Sequence, residues 1–417
     1  MKIGIIGLGD MGKLFAKTWA SKGFDVCGCD RPNFTESLRE ELAQFNVKVL
    51  ENGVEVSRIC DFILYSVEAE KIDEVVAMYG PSTKHGAIVA GQTSVKTPEI
   101  KAFEKLPKDV QIVTCHALYG PAVNPVGQTM VVINHRASNS AYHQSLKIFE
   151  AIGSKIEELE DYHAHDKMMA DIQAVTHLGF ESIGTACMHR KIYPWADKMN
   201  PNGLDNVKFL MTLRIYSYKH HVYSGLALQN PYAKKDVRKY AQVENDLFSL
   251  ILTDKKNEFR KRILSARDNV FKDHSGLLML DDKIMSEFSL SQDIEHKPNS
   301  HLSLLSMVET WHQLGTNPYK NLVCQTPPFK LRVGMAEYLF LNEDLLEETI
   351  ETATNDISIR ADELAFHTAV QEWANIVEIG NAHSYEKHFE KTKLFLKDRL
   401  EEGREKSSML IAKLQNR

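Results

Sequence analysis

The first twelve residues, MKIGIIGLGDMG, restrict this chain more than any other stretch. Ile3, Ile5 and Ile6 form the kind of apolar run a buried parallel strand needs, and the segment KLFAKTWASKG that follows has helical character. Between the two, Gly7, Gly9 and Gly12 stand in G-x-G-x-x-G spacing. The first glycine permits a tight turn, the second lets backbone approach a pyrophosphate, and the third lets helix and strand pack closely. A helix N-terminus at this place offers free N–H groups and partial positive charge to phosphate. The order strand, glycines, helix therefore points to a dinucleotide site that includes Gly7, Leu8, Gly9, Asp10, Met11 and Gly12.

The second strand-like run, FDVCGCD, ends on Asp30, about twenty residues past the glycines, where a carboxylate can bond a ribose hydroxyl. Arg31 comes next, and an arginine there can pair with a 2′-phosphate. Asp30 argues for NAD and Arg31 for NADP; the reading leans to NADP. Ser66 and Val67, at the close of DFILYSV, belong to the same expected cofactor site.

Strand-like runs continue as VKVL, DFILYSV, AIVAG, QIVTCH and MVVINH, and SLKIFEAIGSKIEELE supplies a last helix and strand. That alternation is the pattern of an α/β Rossmann-type domain, a doubly wound parallel sheet, over residues 1–160. From 161 to 417 the pattern becomes all-helical, with long amphipathic stretches such as HDKMMADIQAVTHLGFESIGTACM and DVRKYAQVENDLFSLILTDKKNEFRKRILSARDNVF. Breaks are expected at YPWADKMNPNG, HKPNSH and CQTPPF. The charged last segment, SYEKHFEKTKLFLKDRLEEGREKSSMLIAKLQ, reads as a solvated helix face. In dehydrogenases that join such a sheet to a helical domain, the helices commonly form a dimer core and wall off the substrate, so a homodimer is expected. At 417 residues and 43% hydrophobic, the chain can bury cores for both domains.

A net charge of −6 and the lack of a long basic run argue against nucleic acid. No apolar stretch approaches bilayer length. A strand beginning at residue 2 leaves no room for a signal peptide before it, and the six cysteines include no C-x-x-C pair. Reduced thiols and a cytoplasmic location are expected, without metal: His220 and His221 are adjacent and point to different helix faces.

Ligands of such sheets bind beyond the carboxyl ends of the strands. Gln92, Ser94 and Lys96 follow AIVAG, and His116 follows QIVTC. Removing hydride from a carbinol carbon needs a group to accept the hydroxyl proton, and histidine suits that task near neutrality. His116 sits where such a base would lie, and Ser94 could bond both the substrate hydroxyl and the imidazole.

Here the motifs point to a family. TCH116ALYGP resembles the H-P-(M/V)-x-G segment around the catalytic histidine of prephenate dehydrogenases, with Ala117 in place of proline. GQ92TS94VK96 is similar to that family's D-Q-x-S-V-K segment. His165-Asp166-x-x-x-Ala170, followed by His177, resembles the H-D-x-x-x-A…S-H-L-P-H stretch, and LR214IYSYKHHVY223SGLALQN230 matches without gaps a segment whose arginine grips a carboxylate. KIYPW195, NSHLSLLSMVETW, TPPF and AEYLFL look like the fungal branch. The resemblance implies oxidative decarboxylation of prephenate, with His116 and Ser94 catalytic, and with Arg214, His177 and Gln92 toward the substrate. Two departures stand out: QAVTH177 keeps only the last histidine of S-H-L-P-H, and Ala122 replaces an acidic residue found in some bacterial members.

Other readings stay open. GLGDMG also resembles the opening of β-hydroxyacid dehydrogenases, whose catalytic lysine would correspond to Lys167, though the segments around Ser94 and His116 argue against it. Arogenate could replace prephenate as substrate. A non-catalytic NADP-sensing regulator would share the fold without needing histidine, serine and arginine together.

Overall fold

Apolar runs long enough for a strand but flanked by Gly, Asp and Asn fold here as a sheet buried on both faces. All of Phe62–Tyr65 is buried, as are Ile3, Ile5 and Ile6. The structure, a computed structural model, describes residues 1–121, 123–193, 203–276, 278–288 and 299–415. The chain divides into two compact units, Met1–Lys167 and Met168–Arg417. The helix Tyr162–Met169 begins in the first unit, so His165 and Asp166, expected with the helical half, belong with the sheet.

The first unit contains β1 (Lys2–Ile6), β2 (Asp25–Cys29), β3 (Val47–Val49), β4 (Phe62–Tyr65), β5 (Ile88–Gly91), β6 (Gln111–Ala117), β7 (Thr129–Arg136) and β8 (Lys155–Glu158). They lie in the order β3-β2-β1-β4-β5-β6-β7-β8. The pairs are parallel except β6 with β7, which is antiparallel. The expected wholly parallel sheet is corrected at that point. Residues 118–128 form turns around Pro121, Pro125 and Gly127 instead of a crossover helix, so the chain returns antiparallel. On one face Phe15, Trp19, Phe62 and Phe149 stack in succession, with centroids 5.5, 6.0 and 5.6 Å apart. The Trp19 indole donates to the Ile148 carbonyl at 2.8 Å, so this buried polar group is satisfied.

The second unit is helical throughout its described residues. Val175–Arg190 packs on Gly203–Ser217 and on Arg360–Ile379. A Cβ at Gly184 would lie 2.4 Å from the Tyr216 ring, so glycine is what permits the first of these crossings. The expected single helix from Asp236 to Phe271 is two, Ala233–Leu252 and Lys256–Val270, broken at Asp254 with φ +57°. Ala170–Ala174 forms a π-helical turn ahead of Val175–Arg190. The charged C-terminal segment is not merely solvated. Tyr385, Phe389, Leu396 and Leu410 are buried, and a Cβ at Gly403 would meet Leu213 Cβ at 2.3 Å. Its charges alternate with an apolar stripe that the high net polarity masks. Of the expected breaks, CQTPPF opens the helix Pro327–Leu341, with proline in its first turn. Most of YPWADKMNPNG, including Trp195, and part of HKPNSH lie outside the described residues, as does Ala122.

Candidate active site

The glycine turn has the shape its spacing implies. Gly7 has φ +100°, and a Cβ there would lie 2.3 Å from the Ser66 carbonyl; a Cβ at Gly12 would lie 2.0 Å from the Gly7 carbonyl. Gly9 has nothing within 4 Å of the place its Cβ would take. The helix Asp10–Ser21 starts at Gly9 without a side-chain cap, so its first N–H groups are offered outward. Leu8 is buried, Met11 packs on the core and Asp10 is exposed. Asp30 accepts the Leu8 N–H and the Arg31 N–H, each at 2.7 Å. The Arg31 side chain is largely exposed, 4.9 Å above the Phe34 ring. The Val67 side chain reaches the Gly7 turn, and the Gln92 amide donates to the Ser66 hydroxyl. Open space at Gly9, an uncapped helix start and an exposed guanidinium fit a dinucleotide phosphate chain.

Sheet order lines these residues up. Asp30 follows β2, Gly7 follows β1, Ser66 follows β4, Gln92 follows β5, and His116 lies near the end of β6. Four strand spacings, about 19 Å, separate the first from the last.

The segment after β5 is held from below by a buried ion pair. Lys96 Nζ lies 3.2 Å from Glu99 and donates to the Cys115 carbonyl at 2.6 Å. Glu99 also accepts from the Thr93 N–H at 2.9 Å and the Thr93 hydroxyl at 2.7 Å. A Cβ at Gly91 would collide with the Glu99 carboxylate at 2.2 Å, so glycine and ion pair require one another. Such a pair adds little net stability, but it fixes the loop carrying Gln92 and Ser94 to the strand carrying His116.

His116 is buried, and its Nδ1 lies 2.9 Å from His165 Nε2. His165 Nδ1 lies 2.9 Å from Asp166 Oδ1. The expected imidazole partner was Ser94; among the described residues the partner is His165, and no bond joins Ser94 to the ring. Burial, reinforced by His165 and Lys96, holds the His116 pKa well below its ordinary value, so the ring is neutral at physiological pH. Burial also lowers His165, against the pull of Asp166.

The helical unit gathers a second group. His177 stands edge-on to Tyr223 with centroids 4.9 Å apart, and its Nδ1 is buried without a partner among the described residues. Arg214 donates to the Ser408 hydroxyl at 2.8 Å and lies 5.4 Å from the Tyr218 ring. Arg332 is 3% exposed. It donates to Thr176 Oγ1 at 2.9 Å, lies 4.2 Å from the Phe329 ring, and leaves Nε unpartnered. Neither arginine has a carboxylate within salt-bridge reach among the described residues, an arrangement that suits an anionic ligand. Burial draws the Arg332 pKa down to about 10, so it remains a cation at neutrality. Glu181, fully buried with Tyr385 donating to it at 2.6 Å, is pushed by burial up to about 8 and is therefore neutral.

Sequence reasoning gave Asp166, Thr176 and Glu181 no role, and named Arg332 only as a reserve. His165-Asp166 was visible as a motif, but its partners lie 49 and 70 positions away. Arg332 was hidden inside the apolar run of FKLRVGMAEYLF. Among the described residues no group of three or more His, Cys, Asp or Glu could hold a metal, and no helix is long and apolar enough to cross a membrane.

Comparison with known proteins adds the following. Residues 2–159 match the NAD binding domain of 6-phosphogluconate dehydrogenase, and residues 174–416 match a 6-phosphogluconate dehydrogenase C-terminal domain. The prephenate dehydrogenase [NADP(+)] of Saccharomyces cerevisiae is 46% identical over 414 residues, covering 96% of this chain and 91% of that protein. A probable prephenate dehydrogenase [NADP(+)] of Schizosaccharomyces pombe is 42% identical over 421 residues, covering 99% and 97%. The crystal structure of prephenate dehydrogenase from A. aeolicus with hydroxyphenyl propionate and NAD+ shares the fold. Its TM-score is 0.52 at 18% identity, over 63% of this chain and 94% of that one.

Proposed function

The chain belongs to the prephenate dehydrogenase family, and from that membership we propose its reaction: oxidative decarboxylation of prephenate to 4-hydroxyphenylpyruvate, in tyrosine biosynthesis. Bound NADP+ supplies the hydride acceptor. The observation that carries the site assignment is the alignment of Asp30, Gly7, Ser66, Gln92 and His116 along successive strand ends, which puts a buried base at the far end of a nucleotide cradle.

The residues then divide the work. The turn Gly7–Gly12 and the following helix start hold the pyrophosphate, with Asp30 at the ribose and Arg31 on the 2′-phosphate. Ser66, Val67 and Gln92 shape the nicotinamide end. His116, neutral and buried, takes the ring hydroxyl proton as the carbinol carbon is oxidised, and returns it to the phenolic oxygen once CO2 has left. Ser94 holds that hydroxyl. Arg214 and His177 bind the substrate from the helical unit, and Arg332 adds a second cation for a substrate with two carboxylates. A homodimer through the helical unit and residence in the cytoplasm complete the proposal; the exposed Ile357 and Ile379 of that unit support the former.

The test is steady-state NADP+ reduction by the purified chain. Reduction that requires prephenate and yields 4-hydroxyphenylpyruvate supports the reading. Equal rates without prephenate, or reduction with arogenate alone, would overturn it.

A further inference from the structure

We propose that His165 and Asp166 are positioning residues for His116, fixing Nε2 as the ring nitrogen left free to accept a proton. The proposal rests on the reading of His116 as the base. It starts from Asp166, which is fully buried. One carboxylate oxygen accepts the Lys96 N–H at 2.7 Å and lies 2.9 Å from His165 Nδ1. The other accepts the Thr97 N–H at 2.8 Å and the Thr97 hydroxyl at 2.7 Å. A carboxylate held by that many donors is ionised and can only accept. Consistent with this, its pKa is lowered despite burial.

A direction follows for the whole chain of bonds. His165 Nδ1 must carry the hydrogen it gives to Asp166, so the neutral ring keeps a lone pair on Nε2. His116 Nδ1, 2.9 Å from that lone pair, must in turn be the donor. The neutral His116 ring then has its own lone pair on Nε2, which no described residue bonds. The rings meet at 62° with centroids 5.1 Å apart, so orientation and tautomer are set together.

The charges facing His116 agree with this role. Helix Lys96–Phe103 contributes Lys96 and Glu99, which pair at 3.2 Å, and helix Tyr162–Met169 contributes His165 and Asp166. With Lys96 and Glu99 offsetting each other, Asp166 is the anion left to balance a protonated His116. When the substrate hydroxyl proton moves to Nε2, the positive charge is shared along a chain that ends on that carboxylate. The proton goes back to the phenolic oxygen after decarboxylation, and no net charge stays on the histidines. Asp166 also holds the first N–H groups of the helix that follows Ser94, so one carboxylate sets both the base and the serine loop.

Nitrogen-15 NMR of the cofactor-free wild-type chain reads the tautomer directly: His116 should carry its hydrogen on Nδ1. His165→Leu should lower kcat about tenfold to a thousandfold, while leaving NADP+ affinity unchanged. His165→Gln, which restores an acceptor for Nδ1, should recover at least part of that loss. Asp166→Asn should move the acid limb of kcat/KM to lower pH, because protonated His116 loses its counter-charge. If His116→Asn turns over normally, the reading of the base falls and this proposal with it. If His116→Asn is impaired while His165→Leu keeps wild-type kcat and pH profile, the relay alone is overturned. A hydrogen on Nε2 of wild-type His116 overturns it whether or not any variant folds.

Discussion

Asp30 accepts the backbone N–H of Leu8 at 2.7 Å, so a carboxylate at the end of β2 fastens the glycine turn that follows β1. Its other oxygen takes the Arg31 N–H at the same distance. Asp30 is thereby a part of the turn as well as a ribose ligand, and it anchors backbone on both sides. The Arg31 guanidinium, exposed above Phe34, is the group left with freedom to discriminate between cofactors.

Arg31→Ala should raise the KM for NADP+ by about one to two powers of ten, the scale of a lost charge-assisted bond. NAD+ kinetics should hardly change. A wild-type preference for NAD+ would contradict this role before any variant is made.

Two glycines of the turn should respond in opposite ways. Gly12→Ala forces a Cβ to within 2.0 Å of the Gly7 carbonyl and should lower Tm by several degrees. Gly9→Ala meets no atom within 4 Å and should leave Tm unchanged, while weakening NADP+ binding at least tenfold as measured by fluorescence titration. Unchanged NADP+ affinity in Gly9→Ala would remove the pyrophosphate from this turn.

Much of this was legible in the sequence because local chemistry decided it. The apolar runs around Ile3, Phe62 and Val89 are strands, and the glycine spacing gave the turn its shape. What was not legible depends on distant partners. Nothing local to MVVINH says that β7 runs antiparallel; the short turn before it does. Asp254 breaks a long periodic helix because the chain adopts φ +57° there, which no proline or glycine announces. Asp166 acts on Lys96 and Thr97 through the fold alone. Arg332 looked like one charge in an apolar helix until burial left it without a counter-ion.

The two arginines of the helical unit can be separated by experiment. Arg214→Ala should raise the prephenate KM of order thirtyfold to a thousandfold, for a loss of about 2–4 kcal/mol, with a smaller fall in kcat. Arg214→Lys should recover only part, because a point charge cannot reproduce a planar two-bond contact. Arg332→Met replaces a buried cation that has no carboxylate partner, so thermal stability should hold or rise while the prephenate KM increases at least tenfold. Lower stability with an unchanged KM would make Arg332 a structural residue.

Glu181 should leave a mark on stability as a function of pH. Its carboxyl sits at about 8 in the folded chain, above the 4.5 of an unperturbed carboxyl, with burial as the main cause. Below the unfolded value both states are protonated and nothing is lost. As pH rises toward 8 the unfolded state releases its proton first, so the folded state loses relative stability across that interval. Glu181→Gln should therefore gain stability over wild type from pH 5 to pH 8, by up to about a few kcal/mol. A difference that does not vary with pH would show that Glu181 is ionised in the folded chain.

The central claim is that His116 is the base of a prephenate dehydrogenase, and comparing kcat for His116→Asn with wild type tests it most directly. With saturating prephenate and NADP+, kcat should fall by roughly two to four powers of ten, while NADP+ affinity and Tm stay near wild type. Wild-type kcat/KM should be level through neutrality and fall on the acid side as the buried ring protonates, and that limb should vanish in the variant. Turnover within a fewfold of wild type, with the acid limb intact, would contradict the account.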